Sequence, residues 1–327
     1  MKLRLYSAAD VNRALPMAEA IEGVKAGYVQ LSAGRAQVPL RIPLDVSPDN
    51  VTLIMPFFTP DGGGALGLKL VSVFGDNVAR GLPLIQSVVL AIDPATGAPQ
   101  ALIEGSTLTA IRTGAASGAA TDVLARPDAA VAAIFGSGVQ ARRQLEAVCT
   151  VRPIERVWVY SLAKAEEFAA EMAGYGPIPL DVRIAESPRQ AVAEADVICT
   201  ATTSRKPVFD GGDLKPGAHI NGIGSFTPQM QEIDAYAVRS ARVVVDSVAA
   251  ALAEAGDLII PLNAGEIGRD HIDTELGEVI AGIKPGRTNP EQITFFKSVG
   301  VAVQDAMAAQ IILRNGSDLG LGTAIDL

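Results

Sequence analysis

A chain of 327 residues, 49% apolar and 19% charged, is long enough for two domains with cores of their own and is too apolar for a disordered segment. Its net charge of −9, from 27 Lys and Arg against 36 Asp and Glu, argues against nucleic acid or an anionic membrane as the main partner, so any cationic site is local and purposeful. Two cysteines, Cys149 and Cys199, and two histidines, His219 and His271, leave almost no raw material for a metal site, a disulfide framework or a histidine-based triad.

The N-terminal Met1-Lys2-Leu3-Arg4-Leu5-Tyr6 lacks the apolar core of a signal peptide. Charges such as Arg80, Asp93 and Asp305 interrupt the apolar runs before membrane-spanning length, which predicts a cytoplasmic protein. Residues 3–6 predict a short strand. Ser7 then caps a segment in which Val11, Leu15, Met17, Ile21 and Val24 recur at roughly helical spacing, read as one helix. From Val38 the pattern changes to strands broken by Pro and Gly, at 40–44, 51–58, 65–74 and 87–93, with 100–103 completing a hairpin across the Asp93-Pro94-Ala95-Thr96-Gly97 turn. Strands in succession without helices between them predict an antiparallel or mixed sheet in an α+β unit.

Residues 106–124, rich in Ala, Thr, Ile and Leu, predict a closely packed helix. Strands and helices then alternate: strand 131–135, helix to 148, strand 156–160, helix 163–172, strand 182–184, helix 188–193, and strands 197–201, 219–223 and 242–246. A strand at 293–296 and a closing helix at 299–313 follow. The alternation predicts an α/β fold with a Rossmann-type doubly wound parallel sheet beside the α+β unit.

The first of these strands runs into Gly136-Ser137-Gly138-Val139-Gln140-Ala141, which opens the next helix. Gly136 allows a tight turn, Gly138 lets the backbone approach a pyrophosphate, and small Ala141 lets helix and strand pack closely. Free N–H groups at the helix start face the phosphates, so the turn predicts dinucleotide binding.

Lys69 interrupts the apolar strand Gly67-Leu68-Lys69-Leu70-Val71. A buried lysine needs a partner or a task, unless its side chain reaches solvent from the open face of the sheet. Arg112, in Thr109-Ala110-Ile111-Arg112-Thr113-Gly114-Ala115, has a similar setting. With Arg41 these residues form a candidate cationic cluster suited to a small carboxylate, arginine supplying a forked contact.

Together, the Lys69 strand, Glu104-Gly105 with the Arg112 helix, the Gly136 turn with Gln140-Ala141, and Lys297-Ser298-Val299-Gly300 with Asp305 resemble the ornithine cyclodeaminase/mu-crystallin family over nearly the whole chain. The resemblance implies a homodimer whose substrate-binding and dimerisation domain is built from residues 1–115 with 302–327. A Rossmann domain at 116–301 and an active site in the cleft complete the implied organisation. It also implies chemistry on the imine/amine couple at the α-carbon of small amino acids. By that resemblance Arg41, Lys69 and Arg112 hold the substrate carboxylate, with Lys69 and Arg112 the catalytic candidates and Met55 and Phe226 shaping the pocket. The resemblance further implies that Thr113, the turn from Gly136 to Ala141, Thr200, Ala201, Thr202, Asn221, Gly222, Ile223, Gly224, Ser298 and Val299 line the cofactor.

One departure bears on the reaction. Ornithine cyclodeaminases carry an aspartate in an Asp-x-Pro-Gly-Lys context after the strand that here reads Ile220-Asn221-Gly222-Ile223-Gly224, whereas this chain continues Ser225-Phe226-Thr227-Pro228-Gln229-Met230. Phe226 can neither bind an ammonium nor transfer a proton, which disfavours cyclisation of ornithine. The Gly-Ser-Phe-Thr-Pro form resembles the branch that reduces cyclic ketimines such as Δ1-pyrroline-2-carboxylate or Δ1-piperideine-2-carboxylate. Alanine or N-alkyl amino acid dehydrogenation, and a crystallin-like role of binding NADP without turnover, stay open. The reduction calls for neither a metal nor a covalent nucleophile.

At the end of the second strand of the alternating region, Ser161 supplies no charge to repel a 2′-phosphate, and Lys164 is placed to pair with one. NADP(H) is favoured and NAD(H) tolerated. His219 reads as a packed histidine and His271 as a solvated one. For Asp305, orienting a cleft residue, capping a helix and an interdomain salt bridge are all open.

Overall fold

The computed structural model describes residues 2–326, with Val78 described by its backbone only. In chain order the elements are β1 (Lys2–Tyr6), α1 (Ala8–Ala14), α2 (Met17–Ser32), β2 (Ile42–Ser47), β3 (Asn50–Thr59), β4 (Ala65–Phe74), β5 (Ile85–Ile92), β6 (Pro99–Glu104) and α3 (Gly105–Leu124). There follow β7 (Val131–Phe135), α4 (Val139–Val151), β8 (Arg156–Tyr160), α5 (Ala165–Met172), β9 (Val182–Ile184), α6 (Pro188–Ala193), β10 (Val197–Thr200), β11 (His219–Gly222), α7 (Ala235–Ser240) and β12 (Arg242–Val245). The chain ends with α8 (Val248–Glu254), α9 (Gly256–Asn263), α10 (Leu276–Ile280), β13 (Thr294–Lys297), α11 (Ala302–Asp318) and β14 (Thr323–Asp326).

Two compact units result, Met1–Arg112 with Val301–Leu327 and Thr113–Gly300. The sequence reading put the breaks at 115 and 301; the first break falls inside the unbroken helix α3, where no turn residue marks it. In the first unit one mixed sheet has the order β14-β1-β6-β5-β4-β3-β2, with β1 and β6 parallel and the other pairs antiparallel. Helices α2 and α11 pack together, and a Cβ at Gly23 or Gly27 would come within 2.7 Å of Ile311 or Met307, so both glycines serve close approach. Strand alternation sends Lys69 and Val71 of β4 to the buried side with Met55 and Phe57 of β3. Leu68 and Leu70 go to the opposite face with Ile54 and Pro56 of β3, and with Ile42 of β2.

The second unit is an all-parallel sheet of order β12-β13-β11-β10-β7-β8-β9. The order reverses between β7 and β10, which is the switch point of a doubly wound fold. Its strands are near-continuous apolar runs, as burial on both faces requires. Ile134, Leu145, Val157, Phe168 and Cys199 lie in one core, and both cysteines are buried and unbridged.

Several sequence expectations are corrected. The single N-terminal helix is two, because Pro16 has no N–H to donate and forces Leu15 out of helical geometry. Ser7 does cap α1, in a reciprocal capping box with Asp10. Strand β2 starts at Ile42 rather than 40, where pairing with β3 begins. Helix α5 starts at Ala165 rather than 163, because Lys164 adopts a left-handed φ of 57°. Helix α11 starts at Ala302 rather than 299, since the backbone N–H groups of Val299 and Gly300 donate to Asp246 and Gly300 has a φ of 85°. Helices α7 to α10 and strand β14 were not expected; each is eight residues or fewer, too short for a periodic signal.

Candidate functional site

In the first unit, β4, α3 and α11 bring three charges together. Lys69 Nζ lies 2.9 Å from both carboxylate oxygens of Asp305, and Arg112 Nε lies 3.1 Å from Asp305 Oδ1. Arg112 also donates from Nη1 to Gln304 Oε1, and Gln304 Nε2 donates to the Tyr28 hydroxyl at 2.5 Å. Lys69 is 1% exposed, Asp305 0% and Arg112 5%. Two cations thus share one carboxylate out of water, and Arg112 Nε, although at ion-pair distance, has no well-aligned acceptor among the described residues. Burial, then the Arg112 charge, pull the Lys69 ammonium down to about 7 against the opposing pull of Asp305, with Arg41 adding to the depression. A cluster of net positive charge in a dry setting is completed by an anion, and the forked guanidinium suits a carboxylate.

The second unit carries the glycine turn. Gly136 has a φ of 103°, and a Cβ there would sit 2.8 Å from Ala201 O, so only glycine fits. A Cβ on Gly138 would meet nothing within 4 Å, leaving the turn open on that side. Helix α4 begins at Val139 with Gly138 as its N-cap and no side-chain cap, so its first N–H groups face outward without a capping partner. Ala141 is fully buried against the strand side, and the Ser137 hydroxyl bonds Ala163 O at 2.7 Å and Ser161 Oγ at 3.0 Å. An open glycine turn at a 13-residue helix start, beside the switch point, fits a dinucleotide pyrophosphate.

Past the switch point, the carboxyl ends of β10, β11 and β13 are held by buried carboxylates. Glu232 accepts from Thr200, Thr202 and Ser225. Asp257 accepts from the N–H groups of Glu232 and Ile233 and lies 2.9 Å from Lys297 Nζ, and Asp246 accepts from Ser298 Oγ and the N–H groups of Val299 and Gly300.

The family model for the ornithine cyclodeaminase/mu-crystallin family matches residues 1–318. The chain belongs to that family. Among solved structures, the Δ1-pyrroline-2-carboxylate reductase of Thermococcus litoralis, in complex with NADH and L-proline, is 43% identical, with a TM-score of 0.94 over 98% of this chain and 99% of that one. A Δ1-pyrroline-2-carboxylate reductase of Bacillus cereus is 40% identical over 324 residues, 98% of this chain and 99% of the relative. An alanine dehydrogenase of Archaeoglobus fulgidus is 32% identical over 327 residues, 99% of this chain and 98% of the relative.

Within this ornithine cyclodeaminase/mu-crystallin chain, Met55 is the cross-strand partner of Lys69, and Arg41 is near enough for its charge to act on that lysine. Lys69 does not reach solvent, and Asp305 joins two residues of its own unit rather than bridging units. Asn221 is fully buried with its side chain bonded to Thr121 Oγ1 at 3.0 Å, and Thr200 is buried against Glu232. Gly222 ends β11, Ile223 and Gly224 follow in the turn after it, and Phe226 is half-buried beyond them. The Thr113 carbonyl accepts from Gln144. Val139 is exposed and Gln140 half-buried. Lys164 is exposed and pairs with Glu167 at 3.4 Å. His219 is buried, and burial with the Arg287 charge pushes it down to about 3. His271 is half-buried with Nε2 2.7 Å from Val238 O, not solvated as the sequence suggested.

Sequence reasoning passed over Tyr28, Gln304, Glu232 and Asp257. A buried Gln304 beside Asp305 was within reach, because two polar residues in an apolar helix stretch imply partners. Glu232 lies in the loop before α7 and Asp257 in the first turn of α9, and no local pattern there marks a buried carboxylate. Among the described residues no group of three or more His, Cys, Asp or Glu converges as for a metal ion, and no helix is long and apolar enough to cross a membrane.

Proposed function

We propose that this chain reduces the C=N bond of a cyclic α-imino acid, Δ1-pyrroline-2-carboxylate or its six-membered homologue Δ1-piperideine-2-carboxylate, to L-proline or L-pipecolate with NAD(P)H. The observation that carries the reading is the buried Lys69–Arg112 pair sharing Asp305, in a chain 43% identical to a reductase whose structure holds NADH and L-proline. In this reading the first unit holds the substrate and the second the dinucleotide.

Arg112 and Lys69 grip the substrate carboxylate, whose charge balances the cation that Asp305 leaves unmatched. Gln304 and Asp305 keep the guanidinium from rotating away. Lys69, at about 7, exchanges a proton readily near neutrality and is suited to keeping the ring nitrogen protonated. The bound reduced nicotinamide supplies the hydride. A protonated cyclic imine is already a strong hydride acceptor, so orientation is the main demand on the protein. Phe226 offers none of the proton transfer that cyclising ornithine demands. The absence of a carboxylate at Ser161 and the nearby Lys164 support NADPH over NADH. The exposed apolar residues of β2, including Ile42 and Leu44, support pairing of two copies.

Cofactor oxidation followed at the nicotinamide absorbance tests this, with both imines, with pyruvate plus ammonia, and with ornithine in a proline assay. Turnover of a cyclic imine, faster with NADPH, and none of ornithine is expected. Proline and ammonia from ornithine without net cofactor loss would overturn the reading. The Archaeoglobus relative supports a second reading, alanine dehydrogenation, established if pyruvate with ammonia outpaces both imines.

A further inference from the structure

Glu232 has no part in the chemistry above, yet its fully buried carboxylate is the common acceptor of two separate loops. Oε1 accepts from the Thr202 N–H and hydroxyl, each at 2.7 Å, while Oε2 accepts from the Thr200 hydroxyl at 3.0 Å and the Ser225 N–H at 3.1 Å. Thr200 to Thr202 leave the carboxyl end of β10, and Ser225 closes the turn after β11. Gly224 permits the approach, since a Cβ there would lie 2.2 Å from Thr202 O and 2.5 Å from Glu232 Oε1. The segment is anchored in turn: the N–H groups of Glu232 and Ile233 donate to Asp257 Oδ1 at 2.6 and 3.0 Å, and Asp257 Oδ2 faces Lys297 Nζ at the end of β13.

Burying a carboxylate beside another costs stability, and burial with the Asp257 charge raises the Glu232 carboxyl above its ordinary range. Apolar packing would hold two loops at less cost, so the device specifies backbone position rather than stability. The position matters because a doubly wound sheet takes its ligand outside the carboxyl ends of its strands. With the pyrophosphate at the start of α4, the half of a dinucleotide remote from β8 lies over β10 and β11.

We propose that Glu232 is a positioning residue that sets the spacing of the β10 and β11 loops for the nicotinamide half of the dinucleotide. The inference rests on the dinucleotide reading above. Each carboxylate oxygen accepts one backbone N–H, so in Glu232→Gln an amide NH2 must face an N–H donor at one of the two loops.

The test uses the full chain and calorimetric binding of NADPH and NADH, each beside the same molecule lacking the nicotinamide ring, namely 2′-phospho-ADP-ribose and ADP-ribose. Glu232→Gln is expected to raise the Kd of the reduced dinucleotides about tenfold while the ring-less probes change less than about twofold, a split that general destabilisation of the unit does not produce. Equal weakening of both probe types, or of neither, overturns the positioning role. Wild-type protein that binds none of the four probes overturns the dinucleotide reading and this inference with it. Should Glu232→Gln fail to fold, Thr200→Val removes a donor to Oε2 without adding one; the same split at about threefold is expected, and no split overturns the proposal.

Discussion

Lys69 shows how one residue couples burial to chemistry. Strand alternation turns it inward, where its ammonium meets Asp305 at 2.9 Å but also the repulsion of Arg112 and the loss of water. Its charge is therefore half gone at a pH of about 7, well below the ordinary lysine value of 10.5. Below this pH the cluster carries one cation in excess of Asp305 and attracts a carboxylate; above it Lys69 is neutral, and Arg112 alone is matched by Asp305. Affinity for pyrrole-2-carboxylate, a planar anion whose ring nitrogen does not titrate near neutrality, should fall as pH rises through about 7. Titrating its Kd between pH 6 and about 9 checks this, and a flat profile would show that Lys69 keeps one charge state across that range in the folded protein. Sequence exposed the need for a partner but not which carboxylate supplies it, because Asp305 is 236 positions away.

Among the elements, α3 is the one whose composition has the clearest mechanical reason. Glu104 caps it, accepting the N–H groups of Ser106 and Thr107 at 2.7 and 2.9 Å, and Gly114 faces α4. A Cβ at Gly114 would lie 2.5 Å from Arg143 O, a backbone atom that cannot swing aside. Gly114→Val should destabilise the chain by about 1–3 kcal/mol through overpacking, read from the midpoint shift in urea with an unchanged slope. A shift below about 0.5 kcal/mol would mean that α4 can move away freely. The small residues of α3 were legible in sequence as a close-packing signal. The split of the first helix was misread, since the apolar spacing continues across Pro16 while the backbone bond does not.

For the whole molecule the telling feature is the apolar face opposite Lys69. On β2, Ile42 and Leu44 are each 51% exposed, and Leu70 of β4 is 37% exposed. An exposed edge strand with apolar side chains invites association unless it is covered. If two copies cover it, Ile42→Asp combined with Leu44→Asp should convert a dimer to a monomer in light scattering behind size-exclusion chromatography. A wild-type chain of monomer mass would remove the basis for this pairing.

What the sequence determined by itself was local or periodic. The glycine turn before α4 and a lysine in an apolar strand each announce themselves within about 20 residues, and the parallel alternation from β7 to β10 repeats a strand-helix unit along a continuous stretch of chain. Tertiary structure alone decided which charges meet. Asp305 reaches Lys69 and Arg112 because α11 returns from the far end of the chain to pack on β3 and β4. Glu232 reaches β10 because a loop 32 residues further on folds back beneath it. Both are contacts between residues whose sequence neighbours carry no trace of the partner. A buried charge states in its type that it must be satisfied, and only the path of the chain says by what.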